Sequence, residues 1–246
     1  MGQLDRLTTL LDRFRLRVER APLDQATLAG FHLAGTQQTQ LVLQAGRPGI
    51  APLPGQMLFA LHVDFGGDDN PLLTALPAHV CEQVVPGTVM DNIVALLAQE
   101  YGAPRCGAPV MLSRLGEVLV VQVLRAQIAR GAASTGLLAG LGHPRIGPAL
   151  VAMHDAPDRP WRNADLAQVA GLSESRFKDL FARTVGVSPA GYLRRWRLTL
   201  ARRDLERGDR VDRVAHRYGY RAPDAFSRAF QREFGQRPRQ ALRVQG

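Results

Sequence analysis

The sequence predicts an α+β chain. An N-terminal partial β domain carries several helices, and a C-terminal all-α domain joins two helix-turn-helix units through a long helix. Three observations predict this. Two similar segments recur near the C-terminus, offset by 48 to 49 residues. Short apolar runs separated by Gly and Pro fill residues 23–69, the pattern of strands with tight turns. The charge is one-sided. From His143 to Gly246 there are 21 Lys plus Arg against 11 Asp plus Glu, whereas residues 1–142 carry 10 against 11. The chain has 30 Arg and one Lys, Lys178. A preference for Arg over Lys explains the residue type but not its confinement to one end. Such an excess is the electrostatic footprint of a nucleic-acid-binding domain beside a neutral partner.

Along the chain, Leu4, Leu7, Leu11 and Phe14 recur at roughly helical spacing, which predicts a short amphipathic helix within residues 4–20. Runs at Phe31–Leu33, Gln40–Gln44 and Met57–Phe65 predict strands, punctuated by Gly46, Pro48, Gly49, Pro52, Pro54, Gly55, Gly66 and Gly67. Helices are predicted over Leu72–Ala78, Met90–Tyr101 and Pro109–Arg130, the last with Pro109 in its first turn and Gly131 as its stop. That third helix is apolar on two sides, with Leu112, Leu115, Leu119 and Val123 on one and Val121, Leu124 and Ile128 on another. It is therefore either buried in its own domain or shared with a second copy. Gly131–Pro148 is rich in Gly, Ala and Ser and reads as a join between domains 1–140 and 145–246; Ile146–His154 opens the helical part.

The first repeated segment reads Leu166-Ala167-x-x-x-Gly171-Leu172, then Phe177, Leu180, Phe181, Gly186 and Pro189. The second reads Val214-Ala215-x-x-x-Gly219-Tyr220, then Phe226, Ala229, Phe230, Gly235 and Pro238. This is the order of a helix-turn-helix: a small residue at the crossing, glycine at the turn, an amphipathic helix, a glycine stop. In the first unit Leu166, Val169 and Ala170 form an apolar face, Ser173 caps the next helix, and Phe177, Leu180, Phe181 and Val185 point inward. Ser175, Lys178, Asp179 and Ala182 lie on the opposite face, flanked by Arg176 and Arg183. In the second, Val211, Val214, Ala215 and Tyr218 pack, and Phe226, Ala229, Phe230 and Phe234 point inward. Asp224, Ser227, Arg228 and Gln231 face out, and Arg221 precedes the helix. Ser188-Pro189 and Gly208 bracket the connecting helix, which has two apolar stripes: Leu193, Trp196, Leu200 and Leu198, Ala201, Leu205. At ~1.5 Å per residue it spans nearly 30 Å, close to the ~34 Å recurrence of the major groove on one face of B-DNA.

Residues 145–244 resemble the DNA-binding domain of AraC-type (AraC/XylS) transcription regulators. The resemblance is carried by the two units and their connector, by Gly186–Leu193, by Gly219-Tyr220, and by Ala225–Gly235 with Pro238. It implies base-reading roles for Ser175, Lys178 and Asp179 in the first unit and for Asp224, Ala225 and Arg228 in the second. Arg228 is the strongest of these, because arginine pairs bidentately with guanine. Arg176, Arg194, Arg221, Ser227 and Arg232 are the expected phosphate contacts. Less specifically, Leu72–Pro77, the helix near Glu100, Leu112–Leu115, Leu119–Arg125 and Pro144–Pro148 resemble the cupin-like sensor half of a subgroup of these regulators. About 45 residues of strand cannot supply a full cupin barrel, so a shortened barrel or partial sheet is expected. The implied partners are double-stranded promoter DNA, RNA polymerase, a second copy in a homodimer, and a small-molecule effector at the N-terminal domain. A sensor that serves only for dimerisation is the alternative.

An enzyme is the competing class: a cupin-type metalloprotein with a DNA-binding appendage. His32, His62, Asp64 and His79 are its candidate ligands, of which only His62 and Asp64 share i, i+2 strand spacing. Two ligands on one strand face do not make a metal site, and no metal, cofactor or catalytic residue is expected. Cys81 and Cys106 are too few for a disulfide framework or structural zinc; a redox-sensing pair is the sharper reading and packing the plainer one. There is no Gly-x-Ser-x-Gly elbow, phosphate loop or dinucleotide fingerprint. No apolar run approaches the ~18 residues of a membrane span, and Met1–Arg20 is charged throughout. Neither a signal peptide nor a membrane contact is expected, and a reduced cytoplasmic compartment is.

Overall fold

A computed structural model describes residues 5, 7–67, 70–103, 105–131 and 135–242. The chain divides into two units, Phe14–Leu138 and a second made of residues 139–246 together with 1–13.

The Phe14–Leu138 unit is built on five antiparallel strands: β1 (Arg17–Arg20), β2 (Leu28–Leu33), β3 (Thr39–Gln44), β4 (Gly55–Asp64) and β5 (His79–Val84). Their order is β1-β4-β2-β3-β5. Both faces are covered at the centre, so β2 reads as a continuous buried run, Leu28–Phe31, rather than an alternating one. On one face Ala29, Phe31, Val42 and Ala60 pack with Ala21, Ala26 and Ile50 from the loops. The other face meets the helices α3 (Val89–Gly102) and α4 (Ala108–Arg130), which follow the short α2 (Pro71–Ala75). Gly116 lets α4 approach the sheet: a Cβ there would lie 2.5 Å from Val18 Cγ1. The sheet is open, with β1 and β5 at its edges. It is a partial sheet, as the strand count required.

The helices over 89–102 and 108–130 fall where the sequence placed them, the one expected over 72–78 runs over 71–75 and ends at Leu76, before Pro77, and Gly131 stops α4 in the left-handed conformation at φ 59°. On α4, Leu112, Leu119, Val120, Val123, Leu124 and Ile128 are buried, while Val110, Met111 and Val118 are exposed. The edge strands are corrections to the sequence reading. Arg17–Arg20 is not the tail of a helix but β1, paired Arg17 to Asp64 and Val18 to Val63. β5 was not expected at all, because Glu82 occupies an inward position between Val80 and Val84. Its buried carboxylate is held by Gln127 Nε2 at 3.2 Å and by an ion pair with Arg130, both on α4. A charge buried in this way is tolerated only because it is paired.

The second unit is helical: α1 (Thr8–Arg13), α5 (Leu137–Gly142), α6 (Ile146–Asp155), α7 (Asn163–Ala170), α8 (Glu174–Val185), α9 (Pro189–Glu206), α10 (Val211–Arg217), α11 (Pro223–Phe234) and α12 (Pro238–Ala241). α1 packs on α6, and Thr9 Oγ1 donates to Asp155. The Gly/Ala-rich segment expected as a join contains a helix, α5. Its Gly140 leaves room for Leu150 and Val185, 2.6 and 3.0 Å from where a Cβ would sit. Among the described residues no helix is long and apolar enough to cross a membrane.

Candidate nucleic-acid interface

The two helix-turn-helix units share their turn geometry to the level of single hydrogen bonds. After α7, Gly171 takes φ 64° and Leu172 N–H donates to the Ala167 carbonyl at 2.9 Å. After α10, Gly219 takes φ 82° and Tyr220 N–H donates to the Ala215 carbonyl, also at 2.9 Å. Only glycine adopts such φ values without strain, and the six-to-one bond satisfies carbonyls the helix end leaves free. The turn then launches the second helix of each unit.

In α8, Phe177, Phe181 and Val185 are buried, and Leu180 is half-buried. In α11, Phe226 and Phe230 are buried, while Ala229 and Phe234 are half-buried. The rings pack tilted against each other, Phe177–Phe181 at 5.6 Å between centroids and Phe226–Phe230 at 5.6 Å. Anchoring one face this way turns the other outward. Ser175, Arg176, Lys178, Asp179, Ala182 and Arg183 are exposed on α8, and Asp224, Arg228, Gln231 and Arg232 on α11. Ala225 and Ser227 are half-buried, and Arg194 and Arg221 are exposed. Among the described residues no carboxylate pairs with Arg176, Arg194, Arg221, Arg228 or Arg232. Ser173 and Ser188 both stand at N-cap positions; Ser188 Oγ accepts from Gly191 N–H at 3.2 Å, while Ser173 makes no such side-chain bond. Val169 departs from expectation. It is 41% exposed, because Leu166, Ala167 and Ala170 already fill the crossing of α7 with its neighbours.

Beside α11 lies an open groove of about 1040 Å³, onto which Arg210, Arg228, Arg237 and Arg239 converge along with Asp224 and Gln231. Sequence reasoning did not single out Arg210, Arg237 or Arg239. Arg210 and Arg237 cap α10 and α12 and Arg239 lies within α12, none on a reading helix, so only the local density of arginine marked them.

The connector α9 touches both helix-turn-helix units. Near its start, Tyr192 packs edge-on against Phe181, and Trp196 packs against His154 of α6, with ring centroids 5.9 and 4.7 Å apart. His154 Nε2 and Tyr192 Oη are 2.6 Å apart. Burial lowers the His154 pKa to about 3 and raises that of Tyr192 well above the ordinary phenol range. Both groups are neutral in the folded protein at physiological pH. Between Tyr192 and Trp196, Arg195 pairs with Glu233 of α11 at 3.2 Å, and further along the Arg202 guanidinium lies 5.3 Å over the Phe234 ring. All six residues of the two expected stripes are buried, which is what a helix contacting two neighbours requires.

In the strand-bearing unit, His62 and Asp64 lie together on β4 beside a cleft of about 100 Å³. Among the described residues no three His, Cys, Asp or Glu side chains gather where they could hold a metal ion. His32 Nδ1 is within 3.4 Å of Thr39 Oγ1 instead. Cys81 and Cys106 are exposed, free thiols.

These elements have counterparts in known proteins. A helix-turn-helix domain model matches residues 166–243 and a cupin model matches residues 20–129. A putative AraC-like transcription regulator of Streptomyces lividans is 35% identical over 171 residues, which is 68% of this chain and 56% of that protein. The chain belongs to the AraC-type family. Another relative, the HTH-type transcriptional regulator AlkR of Acinetobacter baylyi, is 31% identical over 176 residues, covering 69% of this chain and 57% of its own length. The chain thus matches little more than half the length of these curated relatives. Among solved structures, the DNA-binding domain of AdpA, in complex with a target DNA, is 30% identical. It covers 42% of this chain and 100% of that one, with a TM-score of 0.39.

Proposed function

We propose that the chain is a sequence-specific DNA-binding transcription regulator that reads two successive major grooves. One observation carries the reading: α8 and α11 each bury phenylalanines on one face and expose a polar, arginine-bearing face on the other, after the same glycine turn. With 18 residues at ~1.5 Å each, α9 separates the readers by roughly 27 Å of helix. In this reading Ser175, Lys178 and Asp179 meet base edges in one groove, and Asp224, Ala225 and Arg228 in the next. Arg176, Arg194, Arg221, Ser227 and Arg232 contact phosphates, and Arg210, Arg237 and Arg239 extend that contact. The partition is the usual one, in which phosphate contacts position the protein and base contacts specify the site.

In the same reading the expected domain 1–140 is the sensor and dimerisation part, except that α1 packs with the DNA-binding domain of residues 145–246. The protein acts in the cytoplasm as a homodimer, without enzymatic activity, on double-stranded promoter DNA and RNA polymerase. A small molecule at the sheet domain controls it. The test is selection of binding sites from random double-stranded DNA with the full chain, followed by footprinting. The expected product is a site with two conserved boxes about one helical turn, or ~10 base pairs, apart. Failure to enrich any sequence, or enrichment of a single box, overturns the reading.

A further inference from the structure

Two polar groups fix the connector helix along its length. Arg197 Nε and Nη2 donate to the carbonyls of Pro157 and Arg159 at 2.6 and 2.7 Å, which ties α9 to the turn between α6 and α7. Two helical turns later stands Asp204, only 9% exposed and flanked by the apolar Leu200, Ala201 and Leu205. A single oxygen of its carboxylate, Oδ2, accepts from Arg217 Nη1 at 2.5 Å and from Tyr218 Oη at 2.8 Å. The same Arg217 nitrogen donates to Asp209 Oδ2 at 2.7 Å, and Asp209 N–H donates to the Asp204 carbonyl at 3.0 Å. Arg217 and Tyr218 are the last residue and the cap of α10, directly before the Gly219 turn that launches α11.

Among the described residues the first unit has no such clasp. The position of Tyr218, 48 residues earlier, is Ala170, which is buried and has no polar side-chain atom. A buried carboxylate at position 204 is therefore not required by helix-turn-helix packing as such. An apolar side chain of similar volume there would hold the fold as well or better, since a buried charge loses hydration. A carboxylate adds direction. Two donors from adjacent residues meeting one oxygen fix both the rotation of α10 about its axis and its slide along α9.

We propose that Asp204 is a positioning residue that sets the register of the second reading helix against the connector, and so the spacing of DNA boxes the protein accepts. This rests on the two-groove reading above. The test uses the full chain and the two-box site obtained by selection, beside the same site with one base pair inserted or removed between the boxes. Wild-type affinity should fall roughly tenfold on either change, comparable to a mismatched base pair. Asp204→Leu should bind the native spacing several-fold more weakly, yet lose no more than about threefold further when the spacing changes. Tyr218→Phe, which keeps the buried ring and removes one donor, should fall between them. If either variant weakens binding equally at all three spacings, the role is merely structural and the proposal is overturned. It is likewise overturned if both keep the wild-type profile. Should Asp204→Leu fail to fold, Tyr218→Phe decides alone. If wild-type protein selects no two-box site, the functional reading fails first and takes this one with it.

Discussion

Acidification should destabilise the helical unit through one side chain. His154 is 1% exposed, packed against Trp196 and within hydrogen-bond distance of Tyr192, and its folded pKa is about 3 against 6.5 for a free imidazole. Arg195 acts on Tyr192 through its field, and Asp155, next to His154 in sequence, accepts from Thr9 Oγ1. Because the folded pKa is depressed, the unfolded chain binds the extra proton between these two values, and stability rises with pH there. The contribution is complete above pH ~6.5 and is lost as pH falls toward 3. Linkage gives a loss of about 2 kcal/mol at pH 5 and about 3 kcal/mol at pH 4 from this group alone. At pH 5 that corresponds to a Tm decrease on the order of 10 °C for a unit of about 100 residues. The protein reports the event itself, since its two tryptophans, Trp161 and Trp196, both lie in this unit. Tryptophan fluorescence during denaturant unfolding of wild type and His154→Gln, at pH 7 and pH 5, isolates the term. The variant keeps a hydrogen-bonding group opposite Tyr192 and cannot titrate. Wild type should lose about 2 kcal/mol more than the variant between the two pH values. Equal losses would refute the assignment of a buried neutral imidazole at this position.

Two further outcomes follow from the interface. Arg228→Ala should cost about 1–3 kcal/mol at the selected site and relax the preference at a single base position, measured by competition against a panel of single-base variants. Unchanged affinity there would remove Arg228 from the reading set. Arg176→Gln and Arg232→Gln should each lower the slope of log affinity against log salt by about 1, because each gives up one phosphate contact. A titration over several salt concentrations checks this, and a change in base preference instead would move these residues from backbone to base contact.

The helix-turn-helix units were legible in the sequence because their signals are local. Gly171 and Gly219 stand where the chain needs a left-handed residue, and Phe177/Phe181 and Phe226/Phe230 repeat at one helical turn. What stayed hidden depends on partners distant in the chain. β1 offers only Val18 among Arg17, Glu19 and Arg20, and becomes a strand through pairing with β4 more than 40 residues later. β5 hides behind Glu82, an inward acid that makes sense only with Gln127 and Arg130 in place. Asp204 interrupts an otherwise apolar stripe, and nothing near it in sequence announces Tyr218 as its donor. His154 and Tyr192 are separated by 38 residues, so neither position suggests a shared buried bond.

The membership of α1 in the helical unit has a topological consequence. The polypeptide enters that unit, leaves it to build the sheet, and returns, so the sheet-bearing unit is an insertion within the other, and two covalent strands of chain link them. A ribosome making this protein releases α1 before the sheet, and its packing partner α6 emerges only some 130 residues later. Fragments that begin after the sheet consequently lack a helix that the chain supplies from before it, and their thermal stability should be judged beside that of the whole chain.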